Sequence, residues 1–176
     1  RSDNHYWFTT NSYNKLTGEY AEDNYLGNDL YKGEWLYFKF QNTFAINKYK
    51  IGSWAGQSFP LRFRVYGTND NSLNWDEIEQ ASQIDSDATY LADDSDGTDT
   101  FEKSFNPPEK PYNIYGFCFH KTKFENRMRG DNGEVIIDYI EIYGVSVESE
   151  EIHLQTLKSF EVNGDLEVSG NILLNG

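Results

Sequence analysis

The sequence predicts an antiparallel β-sandwich. Three observations point to it: short runs that alternate apolar and polar residues, turn residues between those runs, and hardly any helical periodicity. Trp35-Leu36-Tyr37-Phe38-Lys39-Phe40 is the first strong run, and residues 45–51 make the next. Leu61-Arg62-Phe63-Arg64-Val65-Tyr66-Gly67 alternates, with Leu61, Phe63 and Val65 on one face and Arg62, Arg64 and Tyr66 on the other. Residues 114–120 and 135–143 complete the set. Thr68-Asn69-Asp70-Asn71-Ser72 and Asn106-Pro107-Pro108 are turn signals, while residues 75–82 have room for one or two helical turns. Many strands without alternating helices imply an antiparallel rather than a parallel sheet.

Length and composition agree with one such domain. The chain has 176 residues, within the reach of a single core. Mean hydropathy is −0.74, yet 13 Tyr, 12 Phe and 4 Trp supply large side chains to bury. Lys plus Arg number 15 against 29 Asp plus Glu, a formal charge of −14. That field repels phosphate backbones, so a nucleic-acid surface is not expected. No run approaches the roughly 18 apolar residues of a membrane-spanning helix, so membrane insertion is not expected either. The chain opens on Arg1 without a charged-then-apolar leader and reads as a piece of something longer. Cys118, the single cysteine, has no intramolecular disulfide partner.

The last segment follows another rule. Gly164, Gly170 and Gly176 recur every six residues, as do Val162, Val168 and Leu174, and Phe160, Leu166 and Ile172. Such a repeat is too short to bury its own apolar face and must stack on neighbours or on other chains. It reads as the start of a β-repeat shaft that trimerises, or as a β-hairpin folded back on the sandwich. The expected organisation is a sandwich over residues 1–145, a neck over 146–156 and a shaft segment over 157–176.

Several phrases of the sandwich are in register with a known pattern. They are Tyr31-x-Gly33-Glu34-Trp35-Leu36, Ile46-x-x-Tyr49-x-Ile51, Pro60-x-x-Phe63-x-Val65-x-Gly67-Thr68-Asn69-Asp70, Trp75-x-x-Ile78 and Ile140-Glu141-Ile142-Tyr143-Gly144. Together they resemble the discoidin, or coagulation-factor C-type, module of the galactose-binding-like superfamily. Thr68 stands where that pattern has Ser. The resemblance spans residues 13–145 and implies an eight-stranded jelly roll whose loops at one end bind a ligand. The Thr17-Gly18-x-Tyr20 phrase, with the Val162-Asn163-Gly164-Asp165-Leu166 repeat, is similar to modular fibre proteins of large algal DNA viruses and marine phages. Many modules of the superfamily also hold a structural calcium. Here Asp23 and Asp29 are the candidate ligands it implies, but Tyr139 occupies the place of the usual Glu.

The candidate binding residues suit carbohydrate, which is held by an aromatic plate and planar polar side chains. Gly52-Ser53-Trp54-Ala55-Gly56-Gln57-Ser58-Phe59 joins two strands and sets Trp54 among small residues, with Gln57 beside it. Trp54 either stacks on a sugar or packs beneath the sandwich. Arg62 and Arg64 either reach a sugar or make ordinary salt bridges. Tyr25, with Tyr20 and Tyr31 among acidic and amide residues, marks a second candidate loop.

Other motifs carry less. The acidic run over residues 85–99 is a solvated loop or a calcium loop, but Ala92 falls where the first ligand of an Asp-x-Asp-x-Asp-Gly template belongs. Arg129-Gly130-Asp131 precedes Asn132-Gly133 and reads as a turn. His5, His120 and His153 have no metal spacing, and no basic partner marks Cys118 as a nucleophile. Catalysis is therefore not expected. The expected role is a non-catalytic head of a virion fibre that attaches to a host-surface glycan, as a homotrimer that gains avidity from three sites. The alternatives are a structural virion protein that contacts only other virion proteins, and a carbohydrate-binding module of an extracellular or cell-surface bacterial adhesin or enzyme.

Overall fold

A computed structural model describes residues 7–8, 12–14, 17–22, 32–54, 59–69, 74–84, 91–93, 98–122, 135–146 and 151–153. Among these residues the chain is all-β, with no helix. The strands are β1 (Trp7–Phe8), β2 (Glu34–Trp54), β3 (Pro60–Thr68), β4 (Asp76–Glu77), β5 (Leu91–Asp93), β6 (Thr98–Ser104), β7 (Tyr112–Thr122), β8 (Ile136–Ile137), β9 (Tyr139–Ser146) and β10 (Glu151–His153). Every pairing is antiparallel. The main sheet runs β10-β9-β2-β7-β3-β4, with β6 also on β2 and β5 on β6, while β1 pairs with β8 separately.

The curl of this sheet follows from β2, whose 21 residues serve two neighbourhoods. Residues 34–39 pair with β7, and residues 44–52 pair with β9. Its last seven residues also pair with β6, from Lys48 opposite Ser104 to Trp54 opposite Thr98. One half of the sheet is therefore β4-β3-β7 with the start of β2; the other is β10-β9, the end of β2, and β6-β5. Sequence reading divides β2 in two because Gln41, Asn42 and Thr43 are polar. These three are exposed on a bend, not in a turn that ends the strand.

Where β2 changes partners, backbone groups need new ones. Tyr115 provides both: its hydroxyl accepts from the Ile46 N–H at 3.2 Å and donates to the Phe44 carbonyl. A register shift between Ile46 and Lys48 leaves Asn47 as a bulge, and its carbonyl accepts from the Phe105 N–H at 2.9 Å.

The two halves close on one aromatic core, giving a sandwich-like arrangement. Leu36, Phe38, Phe63, Val65, Phe117 and Phe119 come from the first half, and Ile46, Tyr49, Ile51, Ile140 and Ile142 from the second. Tyr49 lies at their junction, with ring centroids 5.9 Å from Phe63, 5.4 Å from Phe117 and 6.2 Å from Phe101. Its hydroxyl donates to the Ala81 carbonyl at 2.7 Å. The helical option over residues 75–82 reduces to a single turn, in which the Ser82 N–H donates to the Ile78 carbonyl at 3.1 Å.

A small hairpin flanks the end of β7. Tyr13 bridges to Tyr20, and Glu19 to Lys121. Gly18 has φ +71°, and a Cβ there would lie 2.2 Å from the Thr122 carbonyl oxygen, so only glycine fits. The Tyr13 hydroxyl donates to the Phe119 carbonyl at 3.0 Å and anchors the hairpin to the core. Of the acidic run over residues 85–99, Leu91–Asp93 forms β5 and Thr98 and Asp99 open β6, with Asp93 opposite Thr98; the rest of the run lies outside the described residues. The neck is described only at β10 and Ser146, and the shaft segment lies outside the described residues.

Candidate binding face

Alternation along β3 sends Phe63 and Val65 into the core and leaves Arg62 and Arg64 on the outer face of the first half. Both arginines are held by carboxylates. Arg62 pairs with Glu19, whose other carboxylate oxygen lies 3.3 Å from Lys121 Nζ. The hairpin places Glu19 there, because the Tyr20 N–H donates to the His120 carbonyl and the Thr122 N–H to the Gly18 carbonyl, each at 2.9 Å. Arg64 Nη1 is 2.5 Å from Glu77 Oε2 on β4. The second Glu77 oxygen accepts from Ser82 Oγ at 3.4 Å, and Ser82 Oγ accepts from the Val65 N–H at 3.0 Å. These side chains are partly open to water, so the pairs add little stability. They fix the direction of planar donors and acceptors on a rigid sheet.

An aromatic cluster adjoins the charged rows. Trp35 lies opposite Cys118 on β7, as does Arg64 from the other side, and Tyr37 and Tyr66 flank Gly116 in the same way. Trp35 and Tyr66 have centroids 5.0 Å apart, Trp35 and Trp75 5.7 Å, and Tyr37 and Trp75 5.9 Å. Gly116 makes room for this stack: a Cβ there would lie 3.1 Å from Trp75 and 3.3 Å from Trp35. Cys118 is buried in the same cluster. The indole N–H groups of Trp35 and Trp75 are buried without an acceptor among the described residues, and such donors ordinarily find one.

His120 closes the charged end. Its Nδ1 lies 2.7 Å from the Lys32 carbonyl, which can only accept, so Nδ1 carries the proton. Burial, with Arg64 and Arg62 nearby, holds this imidazole below its ordinary value, against the Lys32 carbonyl and Glu19. The unfolded chain protonates near about pH 6.5, before the folded chain does, so it binds more protons in that window. Stability from His120 is thus complete above that pH and declines as pH falls towards the folded value. Urea midpoints at about pH 7.5 and about pH 5.5 should differ less in His120→Asn than in the native chain.

Of the residues singled out in the sequence, the structure brings Arg62 and Arg64 onto one face and gives each an acidic partner. The backbone of Trp54 ends β2 in the other half, opposite Thr98. Tyr25, Gln57, Asp23 and Asp29 lie outside the described residues, as does Arg129-Gly130-Asp131. Tyr139 turns its ring over Gly52. Among the described residues no group of three or more His, Cys, Asp or Glu could hold a metal ion. Glu19, Glu77 and Lys121 escape sequence reasoning because they meet the arginines only through strand pairing.

The chain matches no known family, no curated protein and no solved structure.

Proposed function

We propose that this chain is a non-catalytic carbohydrate-binding head that attaches a virion fibre to a host-surface glycan. The observation that carries the reading is the outer face of the first half, where the Arg64–Glu77 and Arg62–Glu19 pairs stand beside the half-buried Trp75, itself packed on the buried rings of Trp35, Tyr37 and Tyr66. A pyranose offers hydroxyls that both donate and accept, with an apolar C–H face. Fixed guanidinium and carboxylate groups match the first, and the open part of the Trp75 ring the second. Because the ion pairs already orient these groups, less side-chain freedom is lost on binding.

The fibre context rests on the six-residue repeat of residues 157–176, which needs partner strands to bury its apolar positions. Trimerisation would present three heads together at the virion surface and turn weak single sites into useful avidity. Calcium at Asp23 and Asp29 belongs to the same proposal and has no further support in the described residues.

Arg64→Ala removes a charged donor worth about 1.5–3 kcal/mol, and should weaken glycan binding by about tenfold or more at unchanged secondary structure. Titration of native and variant chains with the same glycan, followed by tryptophan fluorescence, measures the difference. Equal affinity would remove this face from the site, and a folded native chain that binds no glycan would favour a structural virion protein.

A further inference from the structure

The outer face of the second half is built differently, as a grid across three strands. On β9 it carries Tyr139, Glu141 and Tyr143; opposite them on β2 stand Gly52, Lys50 and Lys48; beyond those on β6 stand Thr100, Glu102 and Ser104. The alternate residues Ile140 and Ile142 are buried, so β9 turns one face to the core and one outward. Gly52 decides the shape of this grid. A Cβ there would lie 2.1 Å from a ring carbon of Tyr139, so the ring rests on the bare backbone of β2. A ring laid down in this way occupies the surface as a plate.

The polar groups around the plate are matched in charge. Lys48 Nζ lies 2.9 Å from Glu102 Oε1 and 5.0 Å from the Tyr143 ring centroid. Lys50 Nζ lies 5.3 Å from the Tyr139 centroid. The Tyr143 hydroxyl donates to Glu141 Oε2 at 2.5 Å. Two ammonium and two carboxylate groups balance across these three strands, on a chain whose net charge is −14. Tyr139 and Tyr143 are four residues apart on one strand, a separation of about 13 Å. That exceeds one sugar ring and suits several in a row.

We propose that this face is a second binding surface, separate from the Arg62–Arg64 face, and that it takes an extended neutral polysaccharide. The proposal rests on the reading of the protein as a carbohydrate binder. The Tyr139 plate stacks on the C–H face of one ring, and Tyr143 stands where a later ring of the same chain passes. The Lys and Glu side chains between them donate to and accept from hydroxyls. An anionic polysaccharide gains no net attraction from these balanced charges and is repelled by the chain as a whole.

The test is electrophoresis of the full chain through native gels containing a neutral glucan, mannan or galactan, with a sialylated glycoprotein gel alongside. The native chain should be retarded by at least one neutral polysaccharide. Tyr139→Ala should weaken that retardation about tenfold or more, as expected for a stacking residue at the centre of a site, and Tyr139→Phe should keep it. Shorter oligomers should compete progressively less well than longer ones, and the monosaccharide least. Retardation unchanged in Tyr139→Ala overturns the second surface but leaves the carbohydrate reading standing. Binding in none of the gels overturns both. If Tyr139→Ala does not fold, Gly52→Ser serves, since its side chain pushes the ring off the backbone while keeping the phenol. Loss of retardation there supports the proposal, and full retardation overturns it.

Discussion

Tyr49→Ala should lower the free energy of unfolding by about 3–5 kcal/mol, the range for removing a large buried aromatic side chain. Tyr49 is fully buried, and its ring meets Phe63 and Phe117 of one half of the sheet and Phe101 and Phe105 of the other. Truncation opens a cavity between the halves, where collapse would require one half to move onto the other. A domain of this size has a total stability of roughly 5–15 kcal/mol, so the loss is a large fraction of it. Tyr49→Phe separates packing from hydrogen bonding. It keeps the ring and strands the Ala81 carbonyl, at a cost of about 1–3 kcal/mol. Urea titrations of the three chains give both numbers, and equal midpoints in all three would refute a core centred on this ring.

The second large effect comes from a single oxygen. Tyr115→Phe leaves the buried Ile46 N–H and Phe44 carbonyl both without the hydroxyl that satisfies them. Each orphaned group costs about 1–3 kcal/mol, so the variant should lose about 2–6 kcal/mol although its ring remains. The position matters because β2 passes there from its pairing with β7 to its pairing with β9. Hydrogen exchange should find the amide of Ile46 among the slow protons of the native chain and faster in Tyr115→Phe. Equal exchange in the two chains would show that the phenol does not hold the bend.

How far the sequence discloses this structure depends on where each strand lies. Residues 61–67 alternate strongly and residues 114–120 form a nearly continuous aromatic and apolar run, and they correspond to β3 and β7, the pair beside the core. β6 has no such signal, since Phe101 is the one large apolar residue in Thr98–Ser104. The continuity of β2 is hidden because its bend is polar, and polar residues also mark turns. Residues 135–143 read as one strand but divide at Asp138, whose N–H donates to the Gly52 carbonyl.

The candidate sites are legible only in part, for a related reason. Arg62 and Arg64 stand out from alternation alone. Their partners Glu19 and Glu77 are 43 and 13 residues away and become visible only through the hairpin and β4. Tyr139 draws notice in the sequence only because the resemblance to discoidin modules implies a Glu in its place. Its ring becomes a plate only because Gly52 faces it across the ladder, 87 residues earlier in the chain by number.

The most direct test of the carbohydrate-binding claim is retention of the intact, folded chain on a panel of immobilised neutral and acidic glycans, with and without EDTA. The proposed function requires saturable retention by at least one of them, and loss of that retention with EDTA would add calcium to the site. A chain that is folded by circular dichroism and retained by none would contradict it.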